Sequence, residues 1–169
     1  RLDKYEDMLG TYLVKLSAQE LTPADSRQAA MLLHMIGDFE RIGDHAVNLM
    51  EAMQELHDKK LAFSASAQAE LSVLTSAISE VLELAIESFE AGDPVLARRV
   101  EPLEQVVDDL TKELRSCHIN RLQSGECTIE LGFVLSDFTP NCERVADHCS
   151  NIAATLIENA VGRFGMHDY

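Results

Sequence analysis

The sequence predicts an all-α protein built as two tandem three-helix bundles of long antiparallel helices, the first lacking its opening helix. Three observations carry this reading. Apolar residues recur at alternating spacings of three and four, the period of a helix that buries one stripe. The stretch Phe39-Glu40-Arg41-Ile42-Gly43-Asp44-His45-Ala46-Val47-Asn48 returns 103 residues later as Cys142-Glu143-Arg144-Val145-Ala146-Asp147-His148-Cys149-Ser150-Asn151, with Glu, Arg, Asp, His and Asn in the same places. The periodic runs are separated by short segments marked by Thr-Pro, Gly-Asp-Pro and Gly, residues that stop one helix and cap the next.

Leu2, Tyr5, Leu9, Tyr12 and Leu16 define a first helix over residues 2–18. Thr22-Pro23 then restarts the chain, with Thr22 as cap, Pro23 at the first helical position and Asp25 complementing the helix N-terminus. The second helix runs to about Asp58 on the seam Leu32, Met35, Phe39, Ile42, Ala46, Leu49, Met53 and Leu56. A third, capped by Ser64 or Ser66, carries Leu71, Leu74, Ile78, Leu82, Ala85 and Phe89 and ends at Gly92. Asp93-Pro94 opens a fourth, continuing through Leu103, Val106, Leu110 and Leu114 with a bend expected at Pro102, because proline lacks the donor an interior turn needs. After the loop 123–128 the fifth helix repeats the seam as Leu135, Phe138, Cys142, Val145, Cys149, Ile152 and Leu156.

The repeat reaches further, since Leu2, Asp3, Asp7, Leu9 and Leu13 match Leu103, Glu104, Asp108, Leu110 and Leu114 at an offset of 101. The expected organisation is therefore residues 1–60 as a partial first repeat of two helices, 61–160 as a complete second repeat of three, and 161–169 as a tail. The opening helix of the first repeat is expected upstream of Arg1. An unpaired apolar face favours a homodimer or a helix swap.

The 169 residues include 29 acidic against 14 basic side chains, a formal charge of −15. Such a field repels nucleic-acid backbones and anionic headgroups and attracts cations. No apolar run approaches the roughly 20 residues of a membrane helix, so this stretch does not itself insert into a bilayer. Cys117, Cys127, Cys142 and Cys149 show no Cys-x-x-Cys spacing, which suits a reducing, cytoplasmic setting.

Lettered against the seams, Asp3/Asp7, Glu40/Asp44, Glu104/Asp108 and Glu143/Asp147 all fall at positions b and f. Carboxylates four apart lie one turn apart on one face, where like charges repel unless a cation intervenes. Four such pairs in one register point to oxygen ligands for hard or borderline cations at the bundle surface, with Asn48 and Asn151 one turn further along and His45 and His148 beside them. The competing explanation is a solvated acidic face. Arg41 and Arg144 read as ion-pair partners, His34 and Asp38 as a minor pair, and Cys142 and Cys149 as core residues on the seam. Gly37 and Pro140 are equivalent positions that weaken each helix one turn before the acidic pair. A di-iron oxidase of the four-helix type is disfavoured, since no His has a Glu three residues before it and the acids face outward.

The two Glu-Arg-x-x-Asp-His-x-x-Asn stretches resemble the signature of the PhoU family across nearly the whole chain. The runs Gly125–Phe133 and Asp147–Ile152 are similar to PhoU-like domains appended to bacterial sodium/phosphate cotransporters. The family's Pro/Asp/Arg turn is only approximated by Pro23-Ala24-Asp25-Ser26-Arg27 and is absent at Gly125–Thr128. The resemblance implies three-helix repeats that bind metal clusters, such as iron, zinc or manganese, on their surface. It implies regulation of phosphate uptake or signalling without catalysis, as the cytoplasmic tail of a cotransporter tethered to the membrane. The implied partners are the phosphate-transport machinery or the chain's own upstream membrane domain; a stand-alone regulator and a metal-free interaction module are the alternatives.

Overall fold

The computed structural model describes residues 2–164, and side chains through Val161. Six helices account for almost all of it: α1 (Leu2–Ser17), α2 (Pro23–Asp58), α3 (Ala65–Ala91), α4 (Pro94–Ala97), α5 (Val100–Ser124) and α6 (Ile129–Phe164). The boundaries are set by local chemistry. Thr22 Oγ1 accepts from Asp25 N at 3.2 Å with Pro23 opening α2, and Ser64 Oγ accepts from Ala67 N at 3.3 Å at the start of α3. Gly92 and Gly125 end α3 and α5 at φ of 60° and 76°, left-handed values that a side chain makes unfavourable.

Two boundaries differ from the sequence reading. The helix expected to run on from Pro94 and bend at Pro102 instead breaks at Arg98–Arg99, between α4 and α5. Pro102 then falls in the first turn of α5, where backbone N–H groups have no intrahelical acceptor and nothing is lost. The last helix passes 160 and reaches Phe164; positions 165–169 of the expected tail lie outside the described residues, as does Arg1. Pro140 sits inside an unbroken α6. There Thr139 Oγ1 donates to Leu135 O at 3.0 Å and Asn141 Nδ2 to Asp137 O at 2.7 Å, so side chains serve carbonyls on either side of the proline turn.

Helices α3, α5 and α6 form a three-helix bundle, with α4 lying against α6. Arg121 crosses from α5 to α3 as a two-pronged pair with Glu70, at 2.7 and 2.8 Å, a geometry that fixes both helices in register. The two long helices α2 and α6 pack along one another, and α1 lies on α2. One core runs through both repeats: Met35, Ile42 and Ala52 from α2 join Leu74, Val81, Val107, Leu135, Cys142 and Ile152. This core draws residues from both sides of the expected 60/61 boundary. Gly43 sits under the first turn of α1, where a Cβ would run into the Leu2 side chain.

The bundle is not equally closed around both repeats. Leu74 of α3 is wholly buried, whereas Tyr12 of α1 remains 63% exposed. Urea denaturation should therefore separate them. Leu74→Ala is expected to cost about 2–5 kcal/mol by cavity formation, whereas Tyr12→Ala should stay within about 0.5 kcal/mol of the parent chain, as surface changes do.

Candidate functional site: a carboxylate cluster and a crossed polar seam

The expected acidic pairs do not behave alike in space. Asp3 of α1 meets Glu40 and Asp44 of α2, with a carboxylate oxygen of each lying within 4.8 Å of the others. Burial, then Asp44, Glu6 and Asp3, push the Glu40 carboxyl above the ordinary carboxylate range. Glu6 belongs to this negative patch although its position carried no motif. No Lys or Arg among the described residues forms an ion pair with Asp3, Glu40 or Asp44. Asp7 stands on α1 one turn from Asp3 and lines a separate shallow groove with Gly10, Thr11 and Leu33.

In the second repeat the equivalent acids acquire cations from the protein itself. Glu143 takes a 3.0 Å ion pair from Arg115 and a 2.6 Å hydrogen bond from Thr111 Oγ1. Asp108 lies 3.6 Å from Lys112, and Asp147 lies 3.4 Å from Arg144. Glu104 stays near Asp108 and Asp147, and burial together with those charges raises its carboxyl while Lys112 pulls it down. The reason is written at the offset of 101: Thr111, Lys112 and Arg115 replace Gly10, Thr11 and Val14. Glu40 has no such neighbours among the described residues.

The asparagines go elsewhere. Asn48 Nδ2 donates to Asn141 Oδ1 at 3.0 Å and Asn151 Nδ2 to Asp38 Oδ1 at 3.3 Å, so the structure places both in the α2–α6 seam and not with the carboxylates. His45 Nδ1 meets Asn141 Oδ1 at 2.8 Å, and His148 Nδ1 meets Asp38 Oδ1 at 2.9 Å. Both acceptor oxygens can only accept, which assigns the proton to Nδ1 in each ring. The two rings stack with centroids 5.6 Å apart. Asp38 and Asn141 are equivalent positions, so each repeat offers one acceptor to the His and Asn of the other, a crossed arrangement with two-fold character. The signal was present in the sequence: polar residues seven apart at 38 and 45, and again at 141 and 148, mark a second polar register beside the apolar seam.

Cys142 and Cys149 are fully buried, and burial pushes both thiols up to about 12. A thiol held protonated is neither nucleophile nor ligand, in keeping with their place in the core. Among the described residues no helix is long and apolar enough to cross a membrane.

The family model described as "PhoU domain" matches residues 1–53 and 71–156. The chain is 28% identical over 137 residues to a phosphate-specific transport system accessory protein, PhoU homolog 1, of Thermotoga maritima, covering 81% of this chain and 58% of that one. It is 26% identical over 164 residues to a putative inorganic phosphate export protein, YjbB, of Escherichia coli, covering 94% of this chain but 30% of that one. It spans little more than half of the first relative and under a third of the second. The crystal structure of PhoU from Pseudomonas aeruginosa superposes with a TM-score of 0.78 at 20% identity, over 95% of this chain and 80% of that one.

The crossed seam makes its own test. Asp38→Asn keeps an oxygen acceptor and reproduces the side chain already used at Asn141, so its unfolding free energy should change by less than about 1 kcal/mol. Asp38→Leu strands two donors and should cost about 1–3 kcal/mol in urea denaturation.

Proposed function

The chain belongs to the PhoU domain family, and from that premise we propose that it is a non-catalytic, cation-binding regulatory domain of phosphate transport. The accessory-protein relatives favour a regulator that acts on phosphate-transport machinery at least as well as the cotransporter tail that the sequence alone suggested. The tail remains a second reading, because nearly the whole chain aligns with less than a third of a putative phosphate export protein.

The observation that carries the cation reading is the Asp3–Glu40–Asp44 cluster. Three oxygen donors from two helices, close together and without an ion-pairing Lys or Arg among the described residues, suit a hard or borderline metal such as iron, zinc or manganese. A bound cation would supply the positive charge and open coordination positions to which phosphate or an acidic partner group can add. Asp3 would tie α1 to α2, while Glu40 and Asp44 hold their one-turn spacing. The second cluster fits less well, since Glu143 is saturated by Arg115 and Thr111 and the remaining acids share Lys112 and Arg144.

Metal content and melting temperature test this. Chain purified without chelator should retain cation that EDTA removes, and saturation at about 100 times Kd should return about 2.7 kcal/mol of stability. Asp3→Asn with Asp44→Asn should abolish both effects, whereas Glu143→Gln should leave cation binding in place. Equal metal content and equal melting in the double variant and the parent would rule the reading out.

The pH dependence has a definite sign. Glu40 has a folded pKa raised above its unfolded value, so its contribution to stability is present below the unfolded pKa and lost as pH rises through the folded one. In EDTA, Glu40→Gln should therefore melt above the parent near pH 7 and lose that advantage near about pH 4, where carboxylates protonate. With saturating cation the order at neutral pH should reverse.

A further inference from the structure

Glu104, Asp108, Glu143 and Asp147 match Asp3, Asp7, Glu40 and Asp44 position for position, yet the place a cation would take beside Glu143 is filled by the protein. Arg115 reaches from α5 to α6 and donates twice, from Nη2 to Glu143 Oε2 and from Nε to Thr139 Oγ1, each at 3.0 Å. Thr139 is completely buried and commits its own proton to Leu135 O. Its oxygen is therefore left to accept from the guanidinium. The other Glu143 oxygen takes the Thr111 hydroxyl at 2.6 Å, so α5 engages both oxygens of this carboxylate.

The first repeat keeps the acid and lacks everything that answers it. On α1, Gly10 stands for Thr111 and the exposed Val14 for Arg115; on α2, Ile36 stands for Thr139. An arginine fork gripped by a carboxylate and a hydroxyl loses little freedom on binding, and charge-assisted hydrogen bonds are about twice as strong as neutral ones.

We propose that Arg115 is the resident cation of the second repeat: its guanidinium holds the place left open in the first, and the chain takes up cation at one of its two repeats only. The proposal rests on the cation reading of the Asp3–Glu40–Asp44 cluster. A metal ion entering beside Glu143 would have to displace the guanidinium and lie close to Lys112 and Arg144, which pair with Asp108 at 3.6 Å and Asp147 at 3.4 Å. Like charges at such separations repel. The consequence is a division of labour between the repeats. Arg115 pins α5 to α6 whatever the solution holds, whereas the polar link from α1 to α2 follows the supply of cation.

The test uses Mn2+ as probe and the full chain carrying Asp3→Asn and Asp44→Asn, so that the first cluster contributes nothing. Isothermal titration calorimetry of this background should show no saturable uptake. Adding Arg115→Ala should open a site at least about tenfold tighter than any residual binding, and Glu143→Gln on top of it should close the site again. Arg115→Gln carries the same expectation with a longer side chain, and Arg115→Lys, which keeps the charge, should stay closed. In the parent chain, Mn2+ should slow amide hydrogen exchange in α1 and leave α5 unchanged. Uptake by the background that Glu143→Gln abolishes would overturn the proposal. So would Arg115→Ala and Arg115→Gln chains, folded by circular dichroism, that bind no more Mn2+ than the background, or an Arg115→Lys chain as open as Arg115→Ala. Failure of the first-cluster reading would show separately, as equal Mn2+ binding by the parent chain and the background.

Discussion

Everything in this molecule hangs on the contact between its two longest helices. Packing α2 against α6 brings apolar seams together, but apolar seams alone would tolerate sliding by a turn. The crossed hydrogen bonds do not. Asp38 must face His148 and Asn151 while Asn141 faces His45 and Asn48. A one-turn slip would strand the buried Asp38 and His148, where unsatisfied polar groups are expensive. The seam therefore fixes the register of α2 on α6, and through it the placement of α1 on one side and of α3 and α5 on the other. The acidic residues that flank the histidines in sequence are held beside α1 and α5 as a by-product of that register.

The two repeats share this frame and differ in what they do with it. A carboxylate at position 40 or 143 is presented in the same way to the helix beside it. In the second repeat that helix answers with Thr111 and Arg115; in the first it offers Gly10 and Val14. With Lys112 in place of Thr11 beside them, three substitutions therefore separate a self-neutralised structural site from an open one. The same logic applies to Val107 and Glu6, where one repeat is closed by its own third helix and the other keeps a charged, uncovered cleft. Duplication supplied the geometry, and a few side chains on the partner helix decided its use.

Much of the fold was legible because long amphipathic helices state their period many times over, and because the 103-residue repeat let each long helix vouch for the other. Thr22, Gly92 and the Ser64/Ser66 cap mark ends through chemistry that acts over three or four residues. The break at Arg98–Arg99 carries no proline or glycine of its own, and Pro102, third in α5, sits at home in a first turn rather than at a bend. The site was legible only in part. The b and f lettering expects all the acids on the outer faces, whereas Asp3, Asp7 and Asp44 are exposed and Glu40, Glu104, Asp108, Glu143 and Asp147 are half-buried; spacing within one helix says nothing of what a neighbouring helix brings. Glu143 was thus taken by Arg115, and Asn48 and Asn151 turned toward the other repeat. Glu6 carried no motif and is visible only when it is set against Val107.

The crossed seam also bears on how the chain reaches its native state. Its hydrogen bonds join residues 93 to 113 positions apart, whereas α3, α5 and α6 follow one another closely and meet through short connections. Closing the long loop must precede any return from the α2–α6 contact. The second repeat is built from contacts between nearby segments, whereas α2 and α1 join it across the longest loop. The molecule is organised around its central pair of helices, and topology makes that pair the one whose closure costs the most chain entropy.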